Sequence, residues 1–230
     1  DHDRGKTHSS GKILYSARII PLRGSWLDLE FDPKDILYVR IDRRRKFPAT
    51  VLLRALGYSA EELLNYFYPS ERIFLTDSNR SEKELNMDIL VGSRAPEDIL
   101  HPETGEVIFK KNRKLGKQTL KRLQDLGIQR LPMKTVDLVN QVLAQDVIDY
   151  STGEIIAECN EALTENLLGE LLNRGIKEIE VLHLEGQDVS PSFRNTLLMD
   201  KINSKEDALI EIYRRLRPSN PPTLEVATEF

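Results

Sequence analysis

The chain has one cysteine, one tryptophan and four histidines in 230 residues. A single Cys159 excludes an internal disulfide and any cysteine-rich zinc motif. It is read as a small buried hydrophobe suited to a reducing cytoplasm. His2, His8, His101 and His183 stand too far apart for metal-ligand spacing. No apolar run reaches the roughly 18–20 residues of a membrane span, so no membrane partner is expected. The polar, charged N-terminus carries no secretory signal. The chain also opens at Asp1 without a methionine, and is expected to be a fragment of a longer protein. There is no Asp-rich triad, and no Ser/His/Asp or Cys/His constellation. No catalytic residue and no metal site is therefore expected.

What is present describes a globular protein with ample core. Hydrophobic residues make up 40% and charged residues 30%, too apolar for disorder. The net charge of −4 is unevenly spread. Residues 1–68 hold 12 Lys/Arg against 9 Asp/Glu, residues 69–189 hold 15 against 22, and residues 190–230 hold 6 against 6. An anionic polymer would be steered to the ends of the chain and away from its acidic middle.

Residues 13–22, 26–31 and 36–41 read as strands, separated by the turn signals Gly24-Ser25 and Asp32-Pro33. Three consecutive strands predict an antiparallel meander. Pro48 opens a helix that runs to Leu56 and stops at Gly57. Ser59 with Glu62 forms a capping box for a helix over 60–68, ended by Pro69. The style then changes, and a repeat appears at a spacing of 48. Thr104-Gly105-Glu106-Val107-Ile108 recurs as Thr152-Gly153-Glu154-Ile155-Ile156. Leu115, Leu120, Leu123, Gly127, Ile128 and Leu131 recur as Leu163, Leu168, Leu171, Gly175, Ile176 and Ile179. Each unit, 99–138 and 147–186, predicts strand, hairpin turn, strand, amphipathic helix, glycine stop and strand. A last amphipathic helix over 204–217 begins at Ser204 with Asp207 and stops at Pro218. Residues 224–230 read as a further helix.

Several residues suggest chemistry. Gly5-Lys6-Thr7-His8-Ser9-Ser10-Gly11-Lys12 superficially resembles a phosphate loop. That loop needs four residues between its glycines and Ser or Thr after the lysine; here there are five, and Ile13 follows. The segment is read instead as polar, flexible and basic, with Lys6 and His8 as candidate phosphate contacts. Trp26 is either a strand tryptophan of the core or a stacking platform for a base. Asp42 is a turn residue or a base reader, and Arg217 a helix-terminal cation or a base reader. Arg43, Arg44, Arg45 and Lys46 form a block of four adjacent cations, suited to phosphates or simply to solvent. In the middle region Lys110, Lys111, Arg113, Lys114, Lys117, Lys121 and Arg122 make a basic strip. The second repeat instead has Glu158, Glu161, Glu165 and Glu170 there. The strip is a solvated face or a docking surface.

The stretch from Arg18 through Pro33 and on to Lys46, with Gly5–Lys12, Pro48-Ala49-Thr50-Val51-Leu52-Leu53-Arg54-Ala55-Leu56 and Ile210-Glu211-Ile212-Tyr213-Arg214-Arg215-Leu216-Arg217-Pro218, resembles the lobe domain of the bacterial DNA-directed RNA polymerase β subunit. The resemblance covers residues 2–67 almost continuously and resumes near Ser190. Residues 69–189 look, more loosely, like the insertion carried by proteobacterial β subunits. Arg215 departs from the pattern, which has an apolar residue there. The resemblance implies that Trp26 stacks on a base of the non-template strand, and that Asp42 and Arg217 line a pocket reading an unpaired guanine. It implies β′, α and σ subunits as partners, with downstream DNA, and possible regulators at the insertion. The magnesium of nucleotidyl transfer is expected on β′, leaving no cofactor here.

The expected fold class is therefore α+β. A discontinuous lobe domain (1–68 and 190–230) of antiparallel strands and helices carries an inserted, duplicated α+β module (69–189). The expected function is to form a wall of the DNA channel in a cytoplasmic, nucleoid-associated polymerase. The DNA-binding residues are Trp26, Asp42, Arg43, Arg44, Arg45, Lys46, Arg217, Lys6 and His8. The alternative is a free-standing module that binds single-stranded nucleic acid.

Overall fold

The structure, a computed structural model, describes residues 2–184 and 189–230, with side chains from residue 7 onward among them. The backbone divides into two compact units, Asp1–Leu63 with Asp188–Phe230, and Leu64–Gln187. The fold is α+β with antiparallel sheets.

The first unit begins with β1 (His2–Thr7), β2 (Ile13–Ile19), β3 (Leu27–Phe31), β4 (Leu37–Ile41) and β5 (Phe47–Pro48), in sheet order β1-β2-β3-β4-β5. The three expected strands are present but shorter. β2 stops at Ile19, just before Ile20-Pro21, because proline has no amide to give to the ladder. The Gly5–Lys12 segment is not a free loop. Lys6 and Thr7 pair with Leu14 and Ile13, and His8–Lys12 is a hairpin closed by His8 N to Lys12 O at 2.8 Å. Helix α1 (Ala49–Ala55) follows Pro48, and α2 (Ala60–Phe67) starts at the expected capping box. Glu62 N donates to Ser59 Oγ at 3.1 Å, and Ser59 N donates to Glu62 Oε2 at 2.8 Å.

The second unit is built on the hairpin of β6 (Ser70–Leu75) and β7 (Arg80–Glu84). One copy of the repeat follows: α3 (Met87–Leu90), the hairpin β8 (Ile99–Leu100) and β9 (Val107–Phe109), α4 (Lys117–Asp125) and β10 (Arg130–Lys134). The next copy has a 3-10 turn at Thr135–Leu138, the hairpin β11 (Val147–Asp149) and β12 (Glu154–Ala157), α5 (Glu165–Asn173) and β13 (Glu178–Leu182). The four-stranded sheet has the order β10-β7-β6-β13, so each copy adds its last strand to one edge of the central hairpin. The cores repeat with the sequence. Leu90, Ala95, Ile99, Leu115, Leu120, Leu123 and Leu131 form one buried cluster. Their counterparts 48 residues on, Leu138, Leu143, Val147, Leu163, Leu168, Leu171 and Ile179, all lie in the other. Gly127 and Gly175, at φ 76° and 73°, end α4 and α5 in the left-handed conformation that only glycine adopts without strain. Cys159 is half-buried, not fully buried as expected. Its amide donates to Asp146 Oδ1 at 2.7 Å.

The returning chain completes the first unit with α6 (Ser192–Met199), α7 (Lys205–Leu216) and α8 (Leu224–Glu229). Helix α6 was not evident in the sequence pattern. One face of the meander is apolar and packs on α1 and α7. Val39, Phe47, Ala49, Val51 and Ala208 form the buried cluster, with Leu27, Leu29, Ile41, Ile202 and Ile212 around it. Polar links also join the early and late segments. Leu37 N donates to Thr196 Oγ1 at 2.9 Å, and Thr50 Oγ1 donates to Asp200 Oδ2 at 2.8 Å. Arg215 is half-buried and pairs with Glu211 at 2.6 Å.

Candidate nucleic-acid interface

In a strand, alternate residues face opposite sides of the sheet. Leu27, Leu29, Val39 and Ile41 take the core side of β3 and β4, so Asp28, Glu30, Tyr38 and Arg40 take the other. Cross-strand register extends this polar face as two rows, Arg18–Asp28–Arg40 and Ser16–Glu30–Tyr38. Opposite charges alternate along the first row, the favourable arrangement for directly facing pairs. Arg18 bonds Asp28, and its pKa is raised chiefly by that hydrogen bond. Glu30 accepts from Arg40 at 3.1 Å and from Lys46 at 3.2 Å. Burial pushes the Glu30 carboxyl up, but the Lys46 and Arg40 bonds outweigh it and hold the group below the ordinary carboxylate range.

The loop after β4 is a tight turn. Arg44 N donates to Ile41 O at 2.9 Å, and the two central residues, Asp42 and Arg43, have φ of 48° and 57°. A turn with both central residues left-handed matches the twist of a hairpin and is normally made by Asn-Gly. Aspartate tolerates that conformation; arginine there costs about 1–2 kcal/mol. Asp42 N donates to Trp26 O at 2.9 Å, which fixes the turn beside the residue preceding β3. The Arg43 guanidinium then lies 5.0 Å from the centre of the Trp26 ring, and the Arg18 guanidinium 5.2 Å. Trp26 is half-buried and precedes the strand expected to contain it.

The structure therefore brings Trp26, Asp42 and Arg43 together. Arg44 and Arg45 are exposed on the same loop. Lys46 is already engaged, by Glu30 and by the Tyr38 ring at 4.4 Å, so it anchors the loop. The other candidates lie apart in their contacts. His8 is half-buried in the β1–β2 turn, its Nδ1 accepting from Ser10 N at 3.3 Å. Lys6 lies in β1, and its side chain is outside the described residues. Arg217 is exposed at the C-terminus of α7, its guanidinium 5.2 Å from the Phe230 ring. Sequence reasoning missed Arg18, Asp28, Glu30, Tyr38 and Arg40. Their signal was the alternation through β3, which becomes a site only once the register sets Arg18 against Asp28.

A cation over an exposed ring is worth about 0.5–1 kcal/mol, whereas a base stacked on an aromatic side chain is worth about 1–3. A base can thus displace one guanidinium from Trp26 and leave it within reach of a phosphate. Among the described residues, no three His, Cys, Asp or Glu side chains converge as metal ligands. No helix among them is long and apolar enough to cross a membrane.

The sequence profile of RNA polymerase Rpb2, domain 2, matches residues 5–124, just over half of the chain. The chain belongs to this family. Along its whole length it is 80% identical to a DNA-directed RNA polymerase subunit beta of Syntrophobacter fumaroxidans. It is 62% identical over 227 residues (99% of the chain) to the subunit beta of Citrifermentans bemidjiense, and 52% over 227 residues (99%) to that of Sorangium cellulosum. The chain spans 16–17% of the length of these relatives. The family match includes the strands and turn that carry Trp26, Asp42 and Arg43.

Proposed function

We propose that the chain is part of the β subunit of a bacterial DNA-directed RNA polymerase. In this reading the first unit forms a wall of the main DNA channel and holds the non-template strand and downstream DNA. The observation that carries the proposal is Trp26, half-buried and faced by Arg18 and Arg43 beside the exposed Arg44 and Arg45. Trp26 stacks on a base, Arg43–Arg45 meet phosphates, and Asp42 and Arg217 read base edges. Lys6 and His8 add peripheral phosphate contacts.

The chain's contribution to RNA synthesis is positioning, with nucleotidyl transfer performed by the assembled enzyme. In this reading the magnesium ion of nucleotidyl transfer belongs to the β′ subunit. Partners are β′, α and σ subunits in the cytoplasm, at the nucleoid. The second unit is a peripheral surface on which regulators dock.

The test places 2-aminopurine in the non-template strand of the assembled polymerase and compares Trp26→Ala with Trp26→Phe. Loss of a stacking energy of about 1–3 kcal/mol predicts roughly 5- to 150-fold weaker engagement of the reporter base for Trp26→Ala, with Trp26→Phe close to the parent. Equal engagement in all three proteins refutes the platform. The 230-residue chain alone is titrated with oligo(dT) in parallel. Binding as tight as in the assembly would make the chain a free-standing single-strand module.

A further inference from the structure

The duplication in the second unit supplies an internal control, and the two copies differ at one sheet edge. In an antiparallel ladder alternate residues turn their backbone groups to one neighbour and the rest to the other. Leu75 N to Lys177 O and His183 N to Pro69 O show that odd-numbered residues of β13 bond inward, to β6. Glu180 and Leu182 therefore face outward. There the chain's own segment 142–144 fills the edge. Ala144 N donates to Glu180 O at 2.9 Å, Leu182 N donates to Val142 O at 2.7 Å, and Leu143 bridges Val181.

The same logic holds for β10. Leu85 N to Gln129 O and Thr135 N to Asn79 O put odd-numbered residues toward β7, so Pro132 C=O and Lys134 N–H face outward. The segment equivalent to 142–144 is Arg94-Ala95-Pro96. Pro96 stands where Ala144 donates, and proline has no amide to donate. Elsewhere the copies agree closely. Leu115 N bonds Ser93 O as Leu163 N bonds Gln141 O, and the bridge Arg94–Lys114 repeats as Val142–Ala162. Among the described residues, however, no backbone bond joins 94–96 to β10. A cleft of about 890 Å3 lies there, lined by Glu97–Leu100, Arg130 and Pro132–Lys134, with residues of the β6–β7 turn. The equivalent cleft of the second copy is about 310 Å3.

We infer that this cleft seats an extended, acidic segment of a protein partner, which adds as a strand to the outer edge of β10. Pro132 C=O and Lys134 N–H supply the backbone bonds that Ala144 and Val142 satisfy in the other copy. Charge identifies the occupant. Residues 99–138 hold 9 Lys/Arg against 4 Asp/Glu, whereas residues 147–186 hold 2 against 9. Exposed Lys134 and Arg80 face the cleft. Of its three carboxylates, Glu97 pairs with Lys111 at 2.6 Å and lies 4.0 Å from Lys134, Glu82 pairs with Arg130 at 3.4 Å, and Asp98 accepts from Lys111 N at 2.7 Å. This inference rests on the reading of the second unit as a docking surface and gives that surface a location and a partner chemistry.

The test uses the 230-residue chain and a fluorescent peptide of alternating glutamate and valine. A version N-methylated at alternate amides and an oligo(dT) serve as competitors. The expected result is binding with protection of the Lys134 amide from hydrogen exchange. N-methylation and Lys134→Glu should each weaken it at least tenfold. Pro96→Ala, which returns the amide and lets the chain close its own edge, should do likewise. Equal binding of the N-methylated peptide, protection elsewhere in residues 64–187, preference for oligo(dT), or no peptide binding at millimolar concentration each overturns the inference. The docking reading itself falls only if no protein protects any of residues 69–189 in the assembled polymerase.

Discussion

Asp200 should be the residue on which the first unit depends most. It ends α6, and its side chain is 1% exposed. Oδ2 accepts from Thr50 Oγ1 at 2.8 Å and lies 3.5 Å from Arg54 Nε, while Oδ1 accepts from Ile202 N at 2.9 Å. Thr50 and Arg54 are on α1, so this one carboxylate joins two segments that are 150 residues apart. Asp200→Ala removes two bonds to a charged acceptor and leaves Arg54, 12% exposed, without its counter-charge. Breaking a buried ion pair costs about 3–5 kcal/mol. A domain's whole stability is about 5–15 kcal/mol. The assay is urea unfolding followed by tryptophan fluorescence, because Trp26 is the only tryptophan and reports on the first unit alone. With a slope of about 2 kcal/mol per molar urea, the midpoint should fall by about 1.5–2.5 M. Replacing both partners, Arg54→Met with Asp200→Leu, should recover most of the loss, since a buried pair exchanged for apolar groups is often neutral. A midpoint shift under about 0.5 M for Asp200→Ala would refute the argument.

Three other outcomes follow from the geometry. Arg43→Val should cost at least about 1 kcal/mol more than Arg43→Gly in the same urea assay, because a β-branched residue resists the left-handed turn that glycine adopts freely; equal midpoints would refute the turn geometry. Alanine at Arg43, Arg44 and Arg45 together should reduce the log–log salt slope of DNA binding by the assembled polymerase by about 2–3, at roughly 0.7–0.9 per phosphate contact; an unchanged slope removes these residues from the interface. Burial pushes Glu71 up, but Lys83 at 3.0 Å and His183 outweigh it and depress its pKa. Such a group contributes stability that is complete above the unfolded value near 4.3 and is lost as pH falls through the folded one. Glu71→Gln should therefore destabilise β6 and β13 to hydrogen exchange at neutral pH by about 3–5 kcal/mol and flatten their acid dependence; an acid slope equal to the parent's would refute this.

The elements that proved legible in the sequence are those whose signals are local. The capping box at Ser59 and Glu62, the N-cap at Ser204 and the glycine stops at Gly127 and Gly175 each depend on residues within one turn of helix. Their chemistry is the same in a peptide as in the fold. Helix α6 lacks such marks: Pro191 precedes it without a side-chain cap, and Thr196 turns its hydroxyl to Ser192 O and to Leu37 N. Its stability comes from a partner more than 150 residues away, and no window along the chain contains that information. The Gly5–Lys12 segment shows the converse. Its composition suggests a flexible polar segment, yet pairing with β2 makes its first three residues part of a strand, because tertiary context overrides a weak local preference.

The candidate interface divides along the same line. Trp26 and the four cations stand out in the sequence as residue types. Which cation is available to a ligand does not, because that depends on register. Once β3 pairs with β4, Glu30 captures Lys46 and Arg40, and the left-handed turn at Asp42 and Arg43 directs the next guanidinium to Trp26. Four adjacent positive charges thereby separate into an anchor, a ring partner and two exposed arginines. The strain held at Arg43 is what makes the separation, since a relaxed turn would not oblige that side chain to meet the ring. The open edge of β10 follows the same reasoning at a single position: Pro96 in place of a residue with an amide is a one-residue difference between copies. It becomes visible only when the second copy shows what the edge would otherwise bind.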